Sequence, residues 1–381
     1  MNFEWSTEQH NRYEQTLKAV IDAFPDTVPN QLSGTQHTRD AWQRLGELGL
    51  LGLCVPTRYG GAGLDALDTA RMIEALGRGC TDTGLVFGAS AHLFACAMPI
   101  ADFAVEGTRQ WVLPDLCSGK LIAGNAMTER NAGSDVSTLE VTAAAVPGGY
   151  RLNGEKSFVS NGPVADIFVT YATTDPAAGH LGITAFVVDA TSCGVSAGDP
   201  FDKMGLSSCP AGTVRFEDCF VPNDYLLGEP GAGAAIFQHS MGWERACLFA
   251  GYVGLMDRLI ERAVEHAGRR RQFGRKLADF QAVANRIVEM KLRLESARLL
   301  LYRACWQMSQ GQPAGLATAL SKLAISEGAV ASALDAVHVF GARGYLREGG
   351  IEAALRDSVP SVIFSGTSDI QRQLIAKELG L

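Results

Sequence analysis

Residues 227–263 read LGEPGAGAAIFQHSMGWERACLFAGYVGLMDRLIERA, and the seam at LGEPGAG (227–233) decides the fold. Before it, the chain runs in short stretches rich in Val, Phe, Thr and Tyr: GGYRLNGEKSFVSNG, DIFVTYATT, GITAFVVDA and TVRFEDCFVP. Gly, Pro and Asn punctuate these every ten or so residues, which predicts antiparallel strands in a small sandwich or barrel. After the seam, apolar residues recur at helical spacing over 234–267, 280–309 and 314–340, and three such helices in succession predict a bundle. Residues 5–118 are also helical in pattern, with Leu17, Val20, Ile21 and Phe24, then Trp42, Leu45, Leu48 and Leu51; Gly60, Gly61 and Gly63 interrupt them as a loop. The fold class is therefore mainly α with a central β domain: helical over 1–118, β over 119–230, and a helical bundle over 231–381.

Composition agrees with a multi-unit globular chain. Its 381 residues exceed one ordinary core, and 47% hydrophobic against 19% charged residues exclude a disordered chain. A formal net charge of −8 removes the broad positive field that nucleic acid requires. No run of about 18 uninterrupted apolar residues suggests a membrane span. Nine scattered cysteines that never fall as Cys-x-x-Cys, with no signal-peptide order at the N-terminus, lead us to expect a reducing cytoplasm. No metal is expected, because His-Glu-x-x-His and other ligand spacings are missing; Gly-x-Ser-x-Gly and Walker motifs are missing too.

Glu244 is the most informative residue. On a helix, Leu248, Tyr252, Leu255 and Leu259 follow it on one face, so this carboxylate lies on the apolar stripe. Burial raises a carboxyl pKa toward neutrality, which suits a general base. The other reading is a first-turn Glu favoured by the helix dipole, or one paired with an Arg. The run GRRRQFGRK gathers Arg269, Arg270, Arg271, Arg275 and Lys276 around Phe273 and Gly274, either as a solvated face or as a seat for a phosphate-bearing ligand. The segment AMTERNAGSDVS offers Thr128, Gly133 and Ser134 as hydrogen-bonding groups on a turn-rich strand exit.

From Trp5 to Leu379 these pieces resemble the acyl-CoA dehydrogenase family, in LGELGLLGLCVPTRYGGAGLD, AMTERNAGSD, LNGEKSFVSNG, KMGLSSCPAGTVRFEDCFVP, RRRQFGRKLADFQAV and IFSGTSDIQRQLIAKEL. The resemblance implies an N-terminal helical domain, a middle β domain and a C-terminal four-helix bundle, assembled as a homotetramer around FAD. Carried over by position, Met127, Thr128, Gly133, Ser134, Phe158 and Ser160 would meet the flavin. Arg270, Phe273, Gln281, His338, Gly341 and Ala342 would hold the pyrophosphate and adenosine end of a neighbouring subunit's FAD, although the family commonly has Gln and Gly where His338 and Ala342 stand. Thr367 and Asp369 match further cofactor contacts.

Ser365 departs from the pattern, since most of the family has its catalytic Glu there and a serine hydroxyl is too weak a base without activation. Glu244 matches the alternative position used by isovaleryl-type members, so the resemblance makes it the base and leaves the Ser365 backbone N–H as an oxyanion donor. A narrower likeness, carried by GCTDTGLVFGASAHLFACAMPI, SSCPAGTVRFEDC, SMGWERACLFAGYVG, KLRLESARLLLYRACW and IFSGTSD, is to the prolyl-carrier-protein dehydrogenases of pyrrole-forming natural-product pathways. It implies oxidation of an L-prolyl thioester on a peptidyl carrier protein, in two two-electron steps, to a pyrrole-2-carboxyl thioester. Oxygen or an electron-transfer flavoprotein would accept the electrons. Trp243, Phe249 and Tyr252 would either narrow the pocket or serve as core. The rival readings are a dehydrogenase of short branched acyl-CoAs and a non-catalytic flavin-binding scaffold.

Overall fold

The computed structural model describes residues 4–25 and 35–381. Among the described residues six α-helices come first: α1 (Thr7–Ala23), α2 (Thr35–Glu47), α3 (Ala66–Gly79), α4 (Thr83–Ala91), α5 (Met98–Phe103) and α6 (Glu106–Cys117). Capping explains several starts: the Ser6 hydroxyl accepts from Gln9 N and the Gln9 side chain answers it, while Asp65 and Asp82 cap α3 and α4. Ile21 is a correction to the helical stripe, because it is 51% exposed while Val20 is buried.

Eight strands follow: β1 (Ala123–Ala126), β2 (Thr142–Val146), β3 (Gly149–Ser160), β4 (Ile167–Thr173), β5 (Ile183–Asp189), β6 (Val195–Ala197), β7 (Ala211–Pro222) and β8 (Leu226–Leu227). They form one sheet in the order β6-β7-β3-β2-β4-β5-β8, with β1 added on β4. Inward residues of β2, β3, β4, β5, β7 and β8, among them Leu152, Phe168, Phe186 and Phe216, converge on one buried cluster, so the sheet closes over its own core. Not every pair is antiparallel as expected: β1 runs parallel to β4, in register from Ala123 opposite Ile167 to Ala126 opposite Thr170. On β4 and β5 the other face joins the helical core through Val169, Tyr171, Ala185 and Val187. Burial on both faces is why these two strands read as continuous apolar runs.

The C-terminal part holds α7 (Gly233–Trp243), α8 (Ala250–Arg269), a short hairpin of β9 (Arg271–Gln272) and β10 (Arg275–Lys276), α9 (Gln281–Ser309), α10 (Gly315–Phe340), α11 (Ala342–Tyr345), α12 (Ile351–Ser358) and α13 (Ser368–Glu378). A π turn, Glu244–Leu248, joins α7 to α8, and a second, His92–Ala97, joins α4 to α5. Helix α8 touches α3 backbone to backbone, since a Cβ on Gly254 would lie 2.2 Å from the Glu74 carbonyl oxygen. The rod Thr83–Phe103 is long and apolar enough to cross a membrane, yet 89% of its apolar window is buried inside the protein. Gly315–Phe340 passes the same test with 44% buried, and it packs against α8, α9, α12 and α13.

Candidate active site

The two π turns face each other, and each frees a carbonyl that a side chain then satisfies. Ser240 Oγ donates to Phe94 O at 3.3 Å, and Cys305 Sγ donates to Ala246 O at 3.3 Å. Glu244 stands in the second π turn, inside a continuous helical rod that begins at Gly233, so it is not a first-turn residue and the dipole reading falls. The residue is 7% exposed, and burial pushes its carboxyl pKa up to about 7, against the opposing effects of the Ser365 hydrogen bond and the Arg245 charge.

Ser365 meets it from the loop before α13. The Ser365 hydroxyl donates to Glu244 Oε2 at 2.5 Å. Both Ser365 (φ 53°) and Gly366 (φ 85°) are left-handed, and for a non-glycine residue that conformation costs free energy. The turn is held from behind: Arg245 Nε donates to Ser365 O at 3.1 Å, and Gln371 Nε2 donates to Ser365 O at 3.3 Å and Gly366 O at 3.0 Å. The charge of Arg245 therefore serves the Ser365 carbonyl as well as opposing protonation of Glu244. Lys322 lies beyond Arg245, fully buried and 5.3 Å from the Phe249 ring centroid, its pKa pushed down to about 8 by burial and by Arg245. Phe249 and Tyr252 are core, since both are almost fully buried and back onto Phe364. Phe364 closes the wall with Phe87, centroids 4.5 Å apart, and half-buried Trp243 stacks on Phe94.

The second group of candidates sits at the end of the sheet. By extension of the β1–β4 register, Met127 stands beside Tyr171, and Thr128 and Gly133 follow in the loop. Lys156 donates to Met127 O at 3.0 Å and Ser157 N donates to Thr128 O at 2.8 Å, so β3 fixes this loop. A register shift between Lys156 and Val159 then turns Phe158 outward, at φ 54° and 64% exposed. Ser160 ends β3 half-buried, and Ser134 is exposed. A planar apolar ring with polar edges fits this surface: a Cβ on Gly133 would meet nothing within 4 Å, and the outward Phe158 ring lies 5.2 Å from that of Phe201, centroid to centroid. Thr367 caps α13, its hydroxyl accepting from Ile370 N at 3.2 Å, with exposed Asp369 beside it. At the sheet end Met127, Thr128, Gly133, Phe158 and Ser160 thus present the open, partly apolar surface that an isoalloxazine ring would need, while Thr367 and Asp369 stand at the start of α13.

The remaining candidates do not join that site within one chain. Arg270 follows the last residue of α8, 26 residues beyond Glu244, which is about 39 Å along a helix. Phe273, 93% exposed, tips the β9–β10 hairpin, Gln281 opens α9, and exposed His338 lies 3.0 Å from Arg286. Gly341 (φ 62°) has open space around it and leads into Ala342. A cleft of about 640 Å3 there is lined by Arg262, Glu265, His266, Arg269, Arg270, Arg271, Phe340 and Arg343. Five guanidiniums stand there against one carboxylate, Glu265, which pairs with Arg269 at 2.6 Å, so the cleft carries a net positive charge; of the GRRRQFGRK run only Arg269, Arg270 and Arg271 line it. Sequence reasoning missed Arg262, which precedes the GRRRQFGRK run, and Arg343, which lies 72 residues beyond Arg271 in the chain; it also missed Arg245 and Gln371, whose carbonyl contacts have no local pattern.

Three family models cover the chain: the acyl-CoA dehydrogenase N-terminal domain over residues 7–120, the middle domain over 124–219 and the C-terminal domain over 231–380. An L-prolyl-[peptidyl-carrier protein] dehydrogenase of Pseudomonas fluorescens is 56% identical over 376 residues, spanning 97% of this chain and 99% of the relative. Among solved structures, PigA with FAD and proline superposes with a TM-score of 0.96 at 44% identity, covering 100% of both chains. The prolyl acyl carrier protein oxidase AnaB superposes with a TM-score of 0.95 at 42% identity, covering 99% of this chain and 100% of that one.

Proposed function

The chain belongs to the acyl-CoA dehydrogenase family, and from that premise we propose that it is an FAD-dependent L-prolyl-[peptidyl-carrier protein] dehydrogenase. The observation that carries this reading is the buried Glu244 carboxylate, bonded to a serine at the family's usual base position, in a chain 56% identical to an enzyme of that activity.

Glu244 takes the α-proton of the prolyl thioester. A carboxylate raised to about 7 by burial is matched to a weakly acidic carbon, because it is a stronger base than an exposed one and is still ionised above neutrality. The Ser365 N–H, on a turn clamped by Arg245 and Gln371, donates to the thioester oxygen as negative charge develops there. Met127, Thr128, Gly133, Ser134, Phe158, Ser160, Thr367 and Asp369 would hold the flavin half of FAD. When bound, FAD supplies the acceptor for the hydride that leaves the β-carbon. Phe87 and Phe364 shape a compact apolar wall suited to a five-membered ring. A second oxidation after tautomerisation gives the pyrrole.

The second cluster, Arg270, Phe273, Gln281, His338, Gly341 and Ala342, would hold the diphosphate and adenosine of FAD bound to another copy, in the homotetramer that we propose for the enzyme. Its distance from Glu244 supports this. So does an uncovered apolar stripe on α9 and α10, where Val288, Leu292, Leu299 and Leu334 are 62%, 59%, 49% and 44% exposed. Oxygen is the electron acceptor we favour, since AnaB is described as an oxidase. Nine unpaired thiols suit a reducing cytoplasm, and the setting we propose is antibiotic biosynthesis.

Mass spectrometry of prolyl carrier protein incubated with the yellow enzyme should show loss of four hydrogens, with oxygen consumed in step. Bleaching by isovaleryl-CoA and not by prolyl carrier protein would favour the branched-acyl reading. A colourless protein, or one that no thioester bleaches, would favour the scaffold.

A further inference from the structure

Ser365 carries more than its backbone. Its hydroxyl is the single hydrogen-bond partner of the Glu244 carboxylate among the described residues, on Oε2 at 2.5 Å, which leaves Oε1 unpaired. The residue is held in a left-handed conformation by Arg245 and Gln371 on its carbonyl, so the hydroxyl direction is set by a rigid turn rather than by a mobile loop. Resting on the functional reading above, we propose that Ser365 is the positioning residue of the base: its hydroxyl pins Oε2, directs Oε1 to the substrate α-carbon, and fixes the base relative to the oxyanion donor on the same residue.

The chemistry balances without a further reactant. The Cα–H bond breaks, an Oε1–H bond forms, and the electron pair moves into the thioester. The Ser365 O–H bond to Oε2 favours the ionised carboxylate, so it holds the base ready before the transfer and weakens after it. The other groups around Glu244 do not substitute for it. Cys96 on the facing π turn and Tyr171 on β4 are held protonated by burial, and Arg245 is a cation that acts on Glu244 through charge.

The test compares Ser365→Ala and Ser365→Gly with the wild-type holoenzyme. Both variants remove the hydroxyl, but only glycine also relieves the left-handed strain. Stopped-flow flavin reduction by prolyl carrier protein should show, in both, an acid limb moved up by about one pH unit and a limiting rate about tenfold lower at unchanged KM, the size expected from losing a charge-assisted hydrogen bond. Infrared titration of the substrate-free holoenzyme, following the carboxyl band that Glu244→Gln abolishes, should move the same way. That second measurement needs no substrate, so it judges Ser365 even if the wild type fails to oxidise prolyl carrier protein, an outcome that would count against the function alone. An unmoved infrared midpoint in either variant overturns the proposal, as does a shift in Ser365→Ala with wild-type behaviour in Ser365→Gly.

Discussion

Lys156 Nζ lies 2.7 Å from Glu129 Oε1, and the two side chains are 0% and 2% exposed. Each charge is satisfied further, since Lys156 also donates to Met127 O and the Glu129 carboxylate accepts from Glu140 N and Val141 N. Burial pushes the Lys156 pKa down to about 8, and Glu129 opposes the shift. The loop that carries Met127, Thr128, Gly133 and Ser134 is therefore laid over a closed charge pair.

Removing one partner should be worse than removing both. Lys156→Met strands the Glu129 carboxylate in the core, and such single losses typically cost about 3–5 kcal/mol, whereas neutralising both partners leaves no uncompensated buried charge. Thermal melts of Lys156→Met, Glu129→Gln and the double variant, each with and without FAD, should show the double variant recovering most of the lost stability but not the wild-type flavin affinity. Additive losses would argue that the pair is not coupled.

Glu244→Gln should bind FAD normally and lose flavin reduction by prolyl carrier protein by about 10²–10⁴-fold, the usual worth of a general base. Retained bleaching at the wild-type rate would remove Glu244 from the mechanism. The same variant has a stability signature. A folded pKa of about 7 above the ordinary 4.5 means that the folded state binds the proton more tightly, so wild-type stability falls as pH rises through that window. Glutamine has no such loss, and at pH 8 the variant should be more stable by up to about 3 kcal/mol, with the difference vanishing near pH 4. Equal melting at both pH values would mean that the burial of Glu244 is relieved in solution.

The rate of flavin reduction in the wild type should rise with pH through about 7 and then level, since the proton must leave Glu244 before it can accept another. Neither Cys96 nor Tyr171 ionises in that range, because burial raises both far above it. Stopped-flow reduction across pH 5.5–9 tests this, and a rate that falls from pH 6 to 8 would point to a required acid instead.

Much of this is legible in the amino-acid sequence. The helix–strand–helix order followed from periodicity, and Glu244 stood out because Leu248, Tyr252, Leu255 and Leu259 share its face; all four are buried. The π turn was not legible, because one added residue barely disturbs a stripe read at four-residue steps. The Ser365 hydroxyl bond joins residues 121 apart, and the outward turn of Phe158 depends on a bulge whose register only the partner strand β7 reveals. The parallel β1–β4 pair was missed for a related reason: pairing direction is a property of two distant segments, and neither AGNA nor IFVTYAT carries it alone.

Assembly and flavin retention should fail together. If the Arg270 cluster serves the FAD of another copy, then separating subunits removes half of each cofactor site without touching Glu244, Ser365 or Phe158. Val288→Glu with Leu292→Glu places two like charges on the exposed α9 stripe, where each side chain is more than half exposed and so costs the isolated chain little. Light scattering should show a smaller species, and gel filtration should strip its flavin. Arg270→Glu should instead keep the assembly and weaken FAD, more at low salt than at high salt, as a repulsion between charges requires. A tetrameric, fully yellow Val288→Glu/Leu292→Glu variant would move the subunit contact elsewhere, and a dissociated variant that still holds FAD at wild-type affinity would assign the arginine cleft to a different anion.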